Sequence, residues 1–214
     1  AGQLAIALRQ IADQRELERL SSTDALTGLM NRRAFQSSLD TAISRAIRNE
    51  TSGALIYVDL DNFKAMNDNY GHETGDAVLS EVAAILTSRS RTYDLVARIG
   101  GDEFVVWLDG VDFSVAKRRA GELAMELNKL SRHSREGLPQ LGASVGIVEF
   151  DRDHDQDTRL LVARADRAMY DVKAHNKQTG EVAIGAVPAG VNAGGKDDLV
   201  PLSDFGDPHD EVSS

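Results

Sequence analysis

Apolar residues recur along this chain with two periods, and the places where one period gives way to the other predict its elements. Leu4, Leu8 and Ile11 fall at i, i+4 and i+7, with Leu17 and Leu20 among charged residues beyond them, so residues 3–20 read as a helix. The spacing breaks at Arg15 and Glu18. Two readings stay open there, a short imperfect coiled-coil seam or a helix packed on its own domain. Residues 21–24 offer caps or a turn, and a second helix is predicted from an Asn31 N-cap to about Asn49. Residues 53–60 are almost continuously apolar with β-branched and aromatic members, as expected of a strand buried on both faces. That run ends in acid. Asp59 and Asp61 flank Leu60, and in an extended chain both side chains point to one side. A polar stretch with Gly71 and Gly75 reads as a short helix and loop, and Val78, Val82 and Ile85, with Leu79 and Leu86, stripe a helix ending near Arg89.

Residues 95–99 and 104–108 are predicted to form a hairpin across Gly100, Gly101, Asp102 and Glu103. A helix from Phe113 to about Arg132 follows, then a strand over 141–148 whose small residues imply a closely packed neighbour. The helix predicted over 157–175 has Leu161, Ala165, Ala168, Met169 and Val172 on its apolar side. Asp166, Tyr170, Lys173 and Lys177 share a second face, and a short strand over 181–184 closes the pattern.

Composition narrows the picture. The 214 residues suffice for one domain with a real core plus appendages, and the absence of cysteine excludes disulfides and thiolate metal sites. No apolar stretch reaches the ~20 residues that span a bilayer and no signal peptide is visible, so a cytoplasmic fragment without membrane contact is expected. A net charge of −10 argues against non-specific binding to nucleic acid, although a nucleotide ligand remains allowed, since local cations and bound metal decide that. The chain opens on Ala1 without a methionine, and a segment upstream of it is expected. From Gly185 onward, three of the four prolines, five glycines, six acids and one lysine give −5 of the charge and little apolar surface. Residues 185–214 are therefore expected to be an acidic disordered tail.

The candidate chemistry lies at the hairpin tip. Adjacent glycines permit positive φ and leave the main chain open to a phosphate, while Asp102 and Glu103 project from the same turn. Two carboxylates ~4 Å apart repel by roughly 4 kcal/mol at an effective dielectric near 20, so a bound cation is expected. Taken alone, the turn reads equally well as an ordinary hairpin with a solvated acidic tip.

Three motifs together carry a resemblance: residues 24–33 (DALTGLMNRR), residues 59–68 (DLDNFKAMND) with Gly71-His72 and Gly75-Asp76, and residues 100–104 (GGDEF). Over residues 21–184 the chain resembles a GGDEF-domain diguanylate cyclase. The resemblance implies an α+β fold related to polymerase palms and nucleotide cyclases, a central, largely antiparallel sheet covered by helices. It implies condensation of two GTP into cyclic di-GMP with release of two pyrophosphates, across a homodimer in which each domain holds one GTP. It further implies two Mg²⁺ or Mn²⁺ ions on Asp59, Asp102 and the Leu60 carbonyl, with Glu103 as either a further metal contact or the general base. Phe63 and Lys64 would cradle the phosphates, Lys173 would meet the terminal phosphate, and Lys177, His72, Gly100 and Gly101 would complete the substrate site. Guanine selection would fall to Asn67 and Asp76. Relatives making mixed dinucleotides depart from aspartate at the position of Asp76, so the symmetric product is implied.

Arg91 and Asp94 resemble the family's R-x-x-D inhibitory site for product, a surface ion pair between them being the alternative. The chain departs from the family after Lys173, where Asn176-Lys177-Gln178 replaces the usual Gly-Arg-Asn. Lys177 keeps the cation without arginine's planar fork, and Asn176 is expected to serve as a left-handed helix cap. The competing functional reading is a non-catalytic module that binds GTP or cyclic di-GMP and signals through the amino-terminal helix. The upstream segment is expected to carry a sensor domain.

Overall fold

The computed structural model describes residues 22–134, 139–179, 182–191, 193–195 and 198–205. The helix expected over residues 3–20 lies outside the described residues. The chain runs through β1 (Met30–Asn31), α1 (Arg32–Asn49), β2 (Gly53–Asp61), α2 (Phe63–Tyr70), α3 (His72–Ser88), β3 (Leu95–Arg98), β4 (Glu103–Asp109) and α4 (Phe113–Asn128). A 3-10 turn (Lys129–His133) leads to β5 (Gly142–Glu149), α5 (Thr158–Thr179), β6 (Ala183–Val187), β7 (Leu199–Pro201) and a last 3-10 turn (Leu202–Phe205). The strands form one mixed sheet in the order β1-β3-β4-β2-β5-β6-β7. Its centre is antiparallel, β2 lying between β4 and β5, while β1 pairs with β3 and β6 with β5 in parallel. The α+β fold expected from the sequence is present.

The apolar run of β2 is buried on both faces because helices cover each side. Ile56, Val58 and Leu60 join Phe104 and Val106 of β4 in a cluster with Met66 of α2, Val78 and Val82 of α3, and Leu123 and Leu127 of α4. Leu55 and Tyr57 join Val105 and Trp107 in a second cluster with Phe35, Leu39 and Ile43 of α1 and Leu161, Ala165 and Met169 of α5. The α1 helix begins where expected, the Asn31 side chain accepting a hydrogen bond from the Ala34 N–H at 3.0 Å.

Four expectations are corrected. No loop separates α2 from α3; Gly71, at φ 85°, turns the chain directly from one helix into the next. The helix from Phe113 ends at Asn128 and tightens into a 3-10 turn. Helix α5 continues to Thr179, so Asn176 is not a left-handed cap; its Oδ1 accepts from the Ala183 N–H at 3.2 Å and fastens the start of β6. The expected tail is ordered where it is described at 185–187 and 198–205. β6 is buried along its whole length, β7 adds to its far side, and the Phe205 ring covers Gly121, where a Cβ would lie 2.5 Å from Phe205 Cδ1. An acidic average over 30 residues concealed Val200, Leu202 and Phe205, whose apolar side chains pack against the core. Among the described residues, no helix is long and apolar enough to cross a membrane.

The small residues of β5 have the expected cause. A Cβ on Gly146 would lie 2.3 Å from the Met169 backbone nitrogen and 2.7 Å from the Ala165 carbonyl oxygen, so α5 rests directly on the strand. Backbone cannot yield as a side chain can, and Gly146→Ala is expected to destabilise the fold by roughly 1–3 kcal/mol, read by urea unfolding. An unchanged unfolding midpoint would contradict this contact.

Candidate functional site

The site is built by the antiparallel pairing of β2 with β4. That register sets Asp59 opposite Glu103, and beyond it the Leu60 N–H donates to the Asp102 carbonyl at 3.1 Å. The end of the buried strand and the hairpin tip therefore lie side by side. On the other flank β5 sets Ser144 opposite Asp59, and the Ser144 hydroxyl donates to both Asp61 oxygens at 2.9 and 3.0 Å. From α5 the Lys173 ammonium reaches the Asp59 carboxylate at 2.5 Å.

Charge in this cluster does not balance. Burial pushes the Asp59 carboxyl above its usual range, and the nearby Asp102 and Asp61 charges add to that rise against the pull of Lys173. Burial likewise raises Asp61, opposed by its Ser144 hydrogen bond and Lys173. For Lys173, burial works against the charged form but is outweighed by Asp59, Asp61 and Asp102, which hold the ammonium above its ordinary value. Three carboxylates thus share one cation. Among the described residues, no three Asp, Glu, His or Cys side chains converge closely enough to hold a metal ion by themselves. Asp59 and Asp102 with adjacent main-chain oxygens are hard donors short of positive charge, a set that suits a divalent cation such as magnesium.

The hairpin is tied down from its base. The Arg98 guanidinium donates to the Gly101 carbonyl at 2.8 Å and pairs with Asp24 at 3.1 Å. Burial would raise the Asp24 carboxyl, but hydrogen bonds from the Thr27 hydroxyl and N–H, with Arg98, hold it below the usual range. The positive φ expected at the two glycines is absent. Positive φ occurs at Gly28, Gly71, Gly110, Gly190 and Gly194 among the described glycines, and not at Gly100 or Gly101. Gly100 is needed for space. A Cβ there would lie 2.1 Å from Glu103 Oε2, so the Glu103 carboxylate folds over it, whereas Gly101 faces open space.

Glu103 itself faces a separate group. Tyr57 donates its hydroxyl to Glu103 Oε1 at 2.9 Å, and the Arg32 guanidinium lies 3.8 Å from Oε2 while its Nε donates to the Ile99 carbonyl. Burial raises the Asp166 carboxyl, and the Glu103 charge adds to that shift.

A second group of predicted residues lies on α2 and α3. Asn67 Oδ1 is buried without a hydrogen-bond partner. A Cβ on Gly75 would lie 1.9 Å from that oxygen and 3.2 Å from the Phe63 ring, so only glycine fits opposite them. Lys64, His72 and Asp76 are exposed on the same pair of helices. Lys177 is exposed in the last turn of α5, and no contact among the described residues brings it to the cluster.

At the expected inhibitory motif the Arg91 and Asp94 side chains are not paired. Asp94, with 1% of its side chain exposed, accepts from the Arg91 backbone N–H at 2.8 Å and pairs with Arg119 of α4 at 2.7 Å. The Arg91 guanidinium is left exposed. Sequence reasoning missed Arg119, Arg32, Tyr57 and the Ser144–Asp61 pair. For Tyr57 a signal existed, a hydroxyl in the middle of a buried apolar strand where phenylalanine would serve the core.

Comparison with known proteins places the chain in a family. A family profile described as "Diguanylate cyclase, GGDEF domain" matches residues 21–179. The chain is 36% identical over 191 residues to the bifunctional diguanylate cyclase/cyclic di-GMP phosphodiesterase MucR of Pseudomonas aeruginosa, covering 89% of this chain and 27% of MucR. It is also 36% identical over 162 residues to the diguanylate cyclase DgcS of Shewanella oneidensis, covering 76% of this chain and 53% of DgcS. The chain thus spans about a quarter and about half of these relatives. Among solved structures, the coiled coil and GGDEF domain of DgcB from Caulobacter crescentus in complex with c-di-GMP matches with a TM-score of 0.66 and 30% identity, covering 88% of this chain and 97% of that one.

The charge imbalance has a measurable consequence. Because the folded-state pKa of Asp59 lies above its unfolded value, the folded chain holds the extra proton, and this contribution to stability falls as pH rises through the carboxylate range. Without divalent metal, Asp59→Asn is expected to melt higher than the wild type at neutral pH and to lose less stability between about pH 4 and 7. A lower melting temperature at neutral pH would contradict the imbalance.

Proposed function

The chain belongs to the GGDEF family of diguanylate cyclase domains, and from that premise we propose that it condenses two GTP molecules into cyclic di-GMP as a homodimer. The observation that carries this reading is the cluster of Asp59, Asp61 and Asp102 around the single Lys173, short of positive charge beside the hairpin tip. Phosphoryl transfer needs charge neutralisation and in-line positioning more than covalent help, and such a cluster would serve it through the cations it holds. Two divalent ions held by Asp59, Asp102 and the Leu60 carbonyl would neutralise the triphosphate and polarise the α-phosphate.

This chain's own residues do the rest. Asn67 brings its unpartnered oxygen to the guanine amine edge, and Asp76 accepts from N1–H and the exocyclic amine. The N–H groups of Phe63 and Lys64 open α2, whose first turn holds no acid, and with the Lys64 charge they receive phosphate oxygens. Lys173, paired with Asp59 here, would be released to meet the terminal phosphate where Asp59 holds a cation. Glu103, grouped with Tyr57, Arg32 and Asp166, acts as general base rather than as a metal contact. It takes the proton of the 3′-hydroxyl while that oxygen bonds to the α-phosphorus held by the facing domain. The bond from the α-phosphorus to the α–β bridging oxygen breaks, and its electron pair leaves with pyrophosphate. A second transfer in the opposite sense closes the ring.

In this reading the catalytic unit begins at residue 21 and includes β6 and β7, with 1–20 linking it to an upstream sensor domain, and the protein works in the cytoplasm. Arg91 reads the product at an inhibitory site, and Asp94 and Arg119 hold its loop.

Incubation with GTP and Mg²⁺ over a range of protein concentrations, with products resolved by mass, tests the reading. Cyclic di-GMP should form at a rate rising faster than linearly with protein and vanish in Asp102→Ala; binding of cyclic di-GMP without any turnover would favour the receptor alternative. Arg91→Ala is expected to weaken product inhibition about 10- to 150-fold, since charged hydrogen bonds contribute ~1.5–3 kcal/mol. Unchanged inhibition would remove Arg91 from the inhibitory site.

A further inference from the structure

Tyr57 sits in the middle of β2, 5% exposed, in the apolar cluster with Phe35 and Leu39 of α1 and Met169 of α5. Nothing in that packing requires a hydroxyl, and a buried phenol needs a hydrogen-bond partner. Its partner is a residue of the hairpin tip, because β2 and β4 pair Tyr57 with Val105 and Asp59 with Glu103. Residues two apart on a strand share a face. The Tyr57 hydroxyl therefore reaches along that face to Glu103 Oε1 at 2.9 Å. The other oxygen, Oε2, lies over Gly100 and 3.8 Å from the Arg32 guanidinium. Both carboxylate oxygens are thus located by neighbours outside the carboxylate cluster.

We infer that Tyr57 is a positioning residue that holds the Glu103 carboxylate in one orientation, with Gly100 supplying the space for it. This rests on the cyclase reading of the site, in which Glu103 meets the 3′-hydroxyl. An unheld glutamate on a hairpin tip would sample several rotamers, and a misplaced base loses rate while leaving substrate affinity intact. The aromatic ring belongs to the core and the hydroxyl to the site, so Tyr57→Phe separates the two.

The test uses the wild type, Tyr57→Phe, Glu103→Gln and the double variant. For cyclic di-GMP formation, Tyr57→Phe is expected to lower kcat roughly ten- to hundredfold with KM for GTP unchanged, and to add no further loss in the Glu103→Gln background. Urea unfolding of the same four proteins is expected to show non-additive changes, since Tyr57→Phe removes the donor of the hydrogen bond whose charged acceptor Glu103→Gln replaces with a weaker, neutral amide oxygen. Wild-type kcat in Tyr57→Phe, a proportional rise in KM, or an undiminished loss on the Glu103→Gln background would overturn the inference. So would additive unfolding changes. A wild-type chain that forms no product would count against the cyclase reading, and the unfolding cycle would still decide whether Tyr57 holds Glu103.

Discussion

Everything at the site follows from a charge that the fold concentrates and does not neutralise. The ends of β2 and β4 carry Asp59, Asp61 and Asp102 to one place, and α5 answers with a single ammonium, Lys173. Burial beneath helices raises the cost of leaving Asp59 and Asp61 ionised. The sheet sustains that cost because the rest of β2 is buried between two apolar clusters, so the strand ends have little freedom to splay apart. A protein selected for stability alone would gain by replacing one of these acids. Keeping them makes sense where a polyvalent cation and a triphosphate arrive together.

The two faces of the sheet divide the work. On one face α2 and α3 pack together at Asn67, where Gly75 leaves room for the amide. On the other, α1 and α5 bring Arg32, Asp166 and Lys173 around the alternating Tyr57, Asp59 and Glu103. Tyr57, Asp59 and Glu103 share that face, so the Asp59–Lys173 contact and the group around Glu103 lie next to each other. The Arg98 link to both Asp24 and Gly101 keeps the tip at a fixed height above the sheet.

Much of this was legible in the sequence, and the failures have physical causes. Helices and strands with a full apolar period, such as β2 and α1, fell close to their observed bounds, because burial and period are two views of one fact. The α2–α3 junction was read as a loop since Gly71 breaks the pattern, yet one residue at positive φ joins two helices without a gap. The ordered stretch 198–205 escaped notice because order there depends on a few apolar side chains and not on average composition. The motifs named Asp59, Asp102 and Glu103, but their convergence comes from strand register, which no local pattern states. For Gly100 the sequence points to phosphate access, and the structure adds that it makes room for Glu103, a contact that exists only once the turn is built.

Titration of the wild type with Mn²⁺ in the presence of a non-hydrolysable GTP analogue, followed by electron paramagnetic resonance, would test the central claim most directly. The account predicts two bound ions per chain, with binding lost in Asp59→Asn and in Asp102→Asn while the fold is retained. Failure of the wild type to bind Mn²⁺, or undiminished binding in both variants, would contradict the claim that this surplus of carboxylates is the metal and triphosphate site.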